Sequence, residues 1–436
     1  MLPVSLILLA GLACFVSWKL FGDFFSPPAI FIFFWCFSLG FFFMDLVQYN
    51  PLSTTCLLAI ALGGFSFLAG CFFPMSQLIL KPGLLNNRPR FHLYDKVRFE
   101  KGMMVLFALG VVGFLIQVYH LQTQIGFRNF LTNPQAVREV HSNVKYLGFF
   151  NILNLANFAI GSIYFFLYRK PKKWVVFMVI WAIITTFIST DRTRFFYAVI
   201  WSFYNIFYLR HRIVLKMKTV MLGAGTLVLL MFFFLLVAVV YKKQAYDHNQ
   251  IYINLPKEVG FLADPYIYLT GSYPVLDAFL DDQEQGEPLW GKHTFEPLVK
   301  VMEALIPNFQ RAELVGRFYP VPLELNVGTF LQPFFYDFGW AGIAIIPFAI
   351  GWFFSWVYVR MRKSKSLFLV YTSGVLAFCT TISIFVNHCT QAATWFFIIV
   401  GWLLFSYAKG KEETDLNQFR EGIYPDQAVD TSSSFS

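Results

Sequence analysis

Charge is scarce in this 436-residue chain: 14% of its residues are Asp, Glu, Lys or Arg, while 57% are hydrophobic and 20% aromatic. A soluble domain carries roughly 25% charged residues and about 45–50% apolar ones. So little charge excludes an ordinary water-facing surface and calls for lipid around the chain. Paired cysteine motifs are also missing. Cys14, Cys36, Cys56, Cys71 and Cys379 lie inside apolar runs, Cys389 sits near a loop, and no CxxC occurs. Neither a disulfide framework nor a zinc site is indicated. The first apolar run lacks a basic leader and an A-x-A site, and Lys19 follows it. It reads as an uncleaved helix with its N-terminus outside. There is no internal repeat and no low-complexity tract apart from the closing DTSSSFS.

What is present is a succession of apolar runs separated by short basic clusters. Taking about 20 residues per crossing predicts about eleven spans. They fall near 2–21, 29–47, 54–73, 102–121, 147–168, 174–190, 194–209, 219–241, 338–359, 366–386 and 391–408. The expected fold class is an all-α polytopic membrane protein of about eleven helices with one long extracytoplasmic loop. It divides into a bundle of about eight helices (1–241), the loop (242–337), about three further helices (338–408) and a cytoplasmic tail (409–436).

The 34 Lys and Arg exceed the 25 Asp and Glu, but they do not gather on one polar domain, so nucleic acid is not an expected partner. They lie in the connections 81–101, 169–173, 210–218 and 360–365. With eleven crossings all four fall on one face, which the positive-inside rule makes cytoplasmic. The expected topology is N-terminus out, C-terminus in.

Two features then face outward. One is the long loop, with an acidic middle (Asp281, Asp282, Glu284, Glu287), several prolines and aromatic-rich pieces such as PYIYLTGSYPVLDAFL. Loops of that length are functional or disordered, and the aromatic content argues against disorder. Short amphipathic helices over the membrane face are expected. The other is the seam FISTDRTRFF (Phe187 to Phe196), where Asp191, Arg192 and Arg194 separate two apolar runs. Snorkelling would account for arginines at helix ends. Their place on the outer face, against the positive-inside bias, favours a functional reading. Guanidinium groups form bidentate, permanently charged forks suited to phosphate, and a diphosphate at headgroup depth would belong to a lipid-linked molecule. Asp191 could orient one guanidinium or simply neutralise the pair.

A second informative stretch is ELNVGTFLQPFFYDFGWAGIAIIPFAIG (Glu324 to Gly351). Asn326, Thr329, Tyr336 and Asp337 lead into a span studded with glycines, which allow helices to approach closely. Asp337 could be a helix N-cap and nothing more. The segment before it is apolar yet broken by Pro333, as a re-entrant or surface-lying piece would be.

Four patches carry a resemblance. They are the S-x-x-R-T seam, YLTGSYP (Tyr268 to Pro274), GKHTF (Gly291 to Phe295), and N-x-x-T-F followed by Y-D-F-G-x-x-G (Asn326 to Gly342). Together they resemble the oligosaccharide repeat unit polymerases, the Wzy proteins of O-antigen, capsule and exopolysaccharide pathways. The resemblance implies a metal-independent glycosyltransferase of the bacterial plasma membrane, without cofactor. It would move a growing glycan from undecaprenyl diphosphate onto a lipid-linked repeat unit at the outer face. Donor and acceptor would be undecaprenyl diphosphate-linked oligosaccharides in membrane lipid, with a chain-length regulator and a flippase as partners. On that analogy Arg192 and Arg194 bind the donor diphosphate, and two arginines stand where one would do.

The reaction also needs a base for the acceptor hydroxyl. The loop offers Asp264, Asp277, His293, Glu296, Glu324 and Asp337. Of these, His293, Glu296 and Asp337 lie in patches matching the family and are the candidate catalytic residues. Asn326, Thr329 and Tyr336 join the substrate-binding candidates. Arg311 and Arg317 could contact a second diphosphate or anionic lipid, or pair with Glu313 or Glu303. His388, in VNHCTQ, is a weaker candidate, and the loop carboxylates lack metal-ligand spacing. Two alternatives remain open: an O-antigen ligase, and a non-enzymatic lipid-linked oligosaccharide flippase or transporter, which would carry charges near mid-membrane.

Overall fold

The structure, a computed structural model, describes residues 1–80, 94–126, 146–168, 170–188, 192–210, 250–282, 290–306, 317–364 and 366–410, with a few isolated positions between them. The helices are α1 (Leu2–Phe21), α2 (Pro27–Phe42), α3 (Thr54–Leu80), α4 (Lys96–Gln124), α5 (Leu153–Leu167, led in by a 3₁₀ turn from Tyr146), α6 (Lys173–Ile188) and α7 (Arg192–Leu209). Three short helices follow: α8 (Ala263–Thr270), α9 (Ser272–Asp281) and α10 (Glu296–Leu305). A two-residue hairpin, β1 (Tyr319–Pro320) with β2 (Glu324–Leu325), precedes α11 (Gln332–Ser364), α12 (Leu367–Ile382) and α13 (Ala392–Ala408).

The expectation of about eleven membrane spans is overturned. Among the described residues five helices are long and apolar enough to cross: Leu2–Phe21, Thr54–Leu80, Lys96–Gln124, Gly148–Leu167 and Gln332–Ser364. Four more apolar helices are shorter, Pro27–Phe42, Lys173–Thr186, Leu367–Ile382 and Ala392–Ala408. The expected span at 219–241 lies outside the described residues. The reason is that apolar sequence does not stop where a helix stops. The run through 47 continues past α2 into the turn at Phe43 to Asp45, and the run through 386 passes the end of α12. A helix of 16 residues rises about 24 Å, short of a hydrocarbon core of about 30 Å. Burial against protein also produces apolar sequence. α7 spends Tyr197, Trp201, Tyr204 and Tyr208 on the core, while Arg192, Arg194 and Asn205 keep it polar for a span.

Two axes organise the bundle. α3 and α11 lie along one another at backbone contact distance. A Cβ on Gly70 would meet the Phe348 carbonyl oxygen at 2.0 Å, and one on Gly351 would meet that of Phe67 at 2.1 Å. Ser66 donates to the Ala344 carbonyl across this seam, and Cys71 Sγ to that of Gly351 at 3.4 Å. Small residues facing each other are how membrane helices pack without a hydrophobic drive. The second axis is α7, wedged between α5 and α12. Trp201 Nε1 donates to the Tyr371 carbonyl at 3.0 Å, and the Tyr204 and Thr381 hydroxyls share a 2.7 Å bond.

The two ends of the bundle differ. One gathers basic residues and is stitched by buried polar bonds. Arg362 donates from Nη1 to Asp23 Oδ2 at 3.2 Å and from Nη2 to the Phe21 carbonyl at 2.7 Å, and Tyr358 donates to the same carboxylate at 3.0 Å. Nearby, Glu100 accepts from Tyr164 at 2.8 Å and from Lys172 at 2.5 Å. The opposite end carries the α2–α3 connection, α8 to α10, the hairpin and the α12–α13 turn. It is called the loop end below.

Candidate functional site

At the loop end, sequence-distant segments close around the α12–α13 turn, residues 383–391. Ser272, where α9 begins, donates to the Ile384 carbonyl at 2.5 Å. Phe330 N–H donates to the Ser383 carbonyl, and Trp35 Nε1 to the Ser383 hydroxyl, both at 2.9 Å. Thr390 Oγ1 reaches the His293 carbonyl at 3.5 Å. From α7, Tyr197 stacks on Phe378 at 3.9 Å between ring centroids and meets His388 edge-on at 5.7 Å. Three of the four patches singled out in the sequence, YLTGSYP, GKHTF and the Asn326–Gly342 stretch, therefore meet at one turn. The fourth, the seam, opens the helix that packs on it.

The GKHTF segment is shaped by Asp337. Its carboxylate, fully buried, accepts the backbone N–H of His293 (3.1 Å to Oδ2) and of Thr294 (2.6 Å). Gly291 turns the chain with φ +92°, and the turn closes when Phe295 N–H donates to the Gly291 carbonyl at 2.8 Å. The His293 imidazole then lies edge-on to Tyr336, 5.2 Å between centroids, and Tyr336 in turn stacks on Phe279 at 5.6 Å. Burial pushes the His293 imidazole below its ordinary pKa of 6.5, while the nearby carboxylates of Asp337 and Glu296 act in the opposite sense. Burial is the larger effect. A neutral imidazole at neutral pH can accept a proton, so among the candidates His293 has the chemistry of a base.

Asp337 is not placed as a helix N-cap: it lies within α11, just before a break where Gly339 takes φ +58° and ψ −144°. The start of that helix is set earlier, by Thr329 and Gln332. Leu331 N–H donates to Thr329 Oγ1 at 3.3 Å, and Gly328 N–H to Gln332 Oε1 at 2.8 Å. These two bonds shape the turn that leads into α11, and they give buried Thr329 a structural task. Pro333 falls in the first turn, where its missing N–H costs nothing.

The remaining candidates are placed as follows. Glu296 is the first residue of α10 and pairs with Lys300 at 2.6 Å. Asp277 holds the start of α3, accepting from Ser53 N–H at 3.1 Å and from its hydroxyl. Arg317 donates to Asp282 at 3.0 Å, and Tyr319 donates to the same oxygen. Asp264 is buried in α8, while Asn326 and Glu324 lie at the hairpin. Arg194 sits half-buried in the first turn of α7, three residues before Tyr197. Arg192 opens α7, but its side chain, like Asp191 and Arg311, lies outside what the structure describes.

Sequence reasoning missed the hub itself. Asn387 Nδ2 donates to Thr390 Oγ1 at 2.7 Å, Cys389 N–H donates to Asn387 Oδ1 at 3.0 Å, and Thr394 donates to the His388 carbonyl at 2.8 Å. The signal was the polar break NHCTQ between two apolar runs, of which only His388 drew notice. Among the described residues no three His, Cys, Asp or Glu side chains are grouped to hold a metal ion. No protein-family model matches the chain, and neither a curated protein nor a solved structure matches it.

Proposed function

We propose that the loop end is the active site of a polymerase that transfers a glycan from a polyprenyl diphosphate to a lipid-linked acceptor at the outer face of a bacterial plasma membrane. The observation that carries this reading is that two segments meet at the turn 383–391: GKHTF, which bears the half-buried, neutral imidazole of His293, and α7, whose first turn bears Arg194. Glycosyl transfer needs both chemistries. The acceptor oxygen bonds to the anomeric carbon, its proton passes to His293, and the bond from that carbon to the diphosphate oxygen breaks. The departing diphosphate keeps the electron pair, and the guanidinium groups of the seam balance its charge. The resemblance of the four patches to repeat unit polymerases supports the same assignment. The basic end would be cytoplasmic by the positive-inside rule, which puts the loop end outside.

Two experiments test the reading. Deleting the gene in its host should leave surface glycan one repeat unit long, restored by the wild type but not by Arg194→Ala or Arg192→Ala. Full-length polymer left on its lipid carrier would identify a ligase instead, and repeat units held in the cytoplasmic leaflet a flippase. With purified protein in nanodiscs and a polyprenyl diphosphate-linked oligosaccharide, His293→Ala should lower transfer roughly 10²–10⁴-fold, the usual worth of a general base. Unchanged transfer in that variant would remove His293 from the mechanism.

A further inference from the structure

α10 is built inside out for a helix at the surface of a protein bundle. Its charged residues, Glu296, Lys300 and Glu303, fall on one side, with Glu296 and Lys300 paired four residues apart. Leu298, Val301, Met302 and Leu305 fall on the opposite side at the spacing of one helix face. That apolar side is turned outward: Leu298 is 62% exposed and Leu305 75%. Among the described residues of α10 only Val299, between the two sides, is buried.

What covers the stripe is indicated by its surroundings. α10 packs on α13, an apolar helix whose own outward residues Trp395, Ile399, Trp402 and Leu403 are exposed in the same way. Trp290 (80% exposed) and Phe295 flank the start of α10, and aromatic residues of this kind collect where a bilayer meets water. The stripe therefore extends the apolar belt of the bundle at the level where that belt ends.

From this geometry we infer that α10 lies in the membrane–water interface, with Leu298, Val301, Met302 and Leu305 seated among lipid chains and Glu296, Lys300 and Glu303 in water. Amphipathic helices with one strongly charged face adopt this position. His293 lies three residues before α10 begins, so the helix fixes the GKHTF turn at the level of the lipid headgroups. On the reading proposed above, a lipid-anchored substrate then reaches the imidazole sideways from the leaflet and never leaves the membrane.

The test needs no activity and so is independent of that reading. An environment-sensitive maleimide dye is attached to Val301→Cys, Leu305→Cys or Glu303→Cys in the full chain in phosphatidylcholine–phosphatidylglycerol nanodiscs. The wild type, whose six cysteines are buried or half-buried, is labelled alike as the background. Spin-labelled lipid should quench the dye at 301 and 305 and leave 303 nearly unchanged, and aqueous iodide should do the reverse. Quenching of 301 and 305 by iodide would overturn the inference by placing the stripe in water. Protection from both quenchers would overturn it by showing that protein, such as a second copy of the chain, covers the stripe.

Discussion

His293 and Asp337, two of the three candidate catalytic residues, meet in the GKHTF turn. Asp337 accepts the backbone N–H groups of His293 and Thr294, so it holds the stretch of backbone that carries the imidazole. Their roles separate by pH. Burial depresses the His293 pKa, so the acid limb of the transfer rate should lie below 6.5. The Asp337 charge works against that depression. Asp337→Asn should therefore move the limb to still lower pH, whereas loss of transfer at every pH in a variant that remains folded would make Asp337 the base. The same sign governs stability. What the neutral imidazole contributes is fully present above its unfolded value of 6.5 and is lost as the pH falls through the depressed folded value. Thermal unfolding of wild type should accordingly fall off in that acid window, and His293→Gln should flatten the response. Legibility at this scale was uneven. GKHTF and Y-D-F-G stood out as patches, but that Asp337 serves the backbone of GKHTF depends on two segments 43 residues apart meeting. Thr329, a substrate-binding candidate from the sequence, also accepts from Leu331 N–H in the turn before α11, a bond that only the fold discloses. Thr329→Ala should cost about 1 kcal/mol of stability through the lost hydrogen bond, measured by unfolding in detergent.

Among the elements, the α3–α11 contact is the one that tolerates least. Gly70 and Gly351 each face a carbonyl oxygen of the opposite helix at a distance no Cβ can share. The neighbouring atoms are backbone, which has no rotamer to turn aside. Gly70→Val or Gly351→Val should therefore push the helices apart and break the Ser66 and Cys71 bonds across the seam. The expected result is loss of the folded, monodisperse species on size exclusion in mild detergent. Gly64→Val, whose nearest neighbour is a Phe31 ring carbon at 3.7 Å, serves as the tolerant control on the same helix. Glycines in this region were visible in the sequence as a packing signal, but which face they occupied was not. Helix positions were similarly legible, and helix lengths were not. Each expected span that falls on described residues does hold a helix, yet the expected spans overrun α2, α5 and α12, where apolar residues continue through the turns, and fall short of α3, α4 and α11. α7 is the instructive case: its run YAVIWSFYNIFYL is apolar because Trp201 and the tyrosines face protein on both sides, and composition alone does not distinguish protein from lipid.

For the whole molecule, the proposed site and the buried ion pair lie at opposite ends. The loop end holds the imidazole and the α12–α13 turn, while the basic end is held by buried charge. Asp23 and Arg362 join the α1–α2 hairpin to the last turn of α11, and both side chains are removed from solvent, 2% and 9% exposed. Such a pair is expensive to break and inexpensive to replace. Deleting one partner leaves an uncompensated buried charge at a cost of about 3–5 kcal/mol, whereas apolar residues of similar volume are often neutral. Arg362→Met should thus destabilise the protein strongly, and the double variant Asp23→Leu with Arg362→Met should recover most of the loss. Unfolding in detergent reports both. If the proposed function holds, the double variant should also keep wild-type transfer and the pH of its acid limb, because Arg362 lies at the end of the bundle opposite His293. A variant that regained stability but lost transfer would mean that the buried pair takes part in the reaction cycle, coupling the two ends through α11, and that its task extends beyond holding the first hairpin in place.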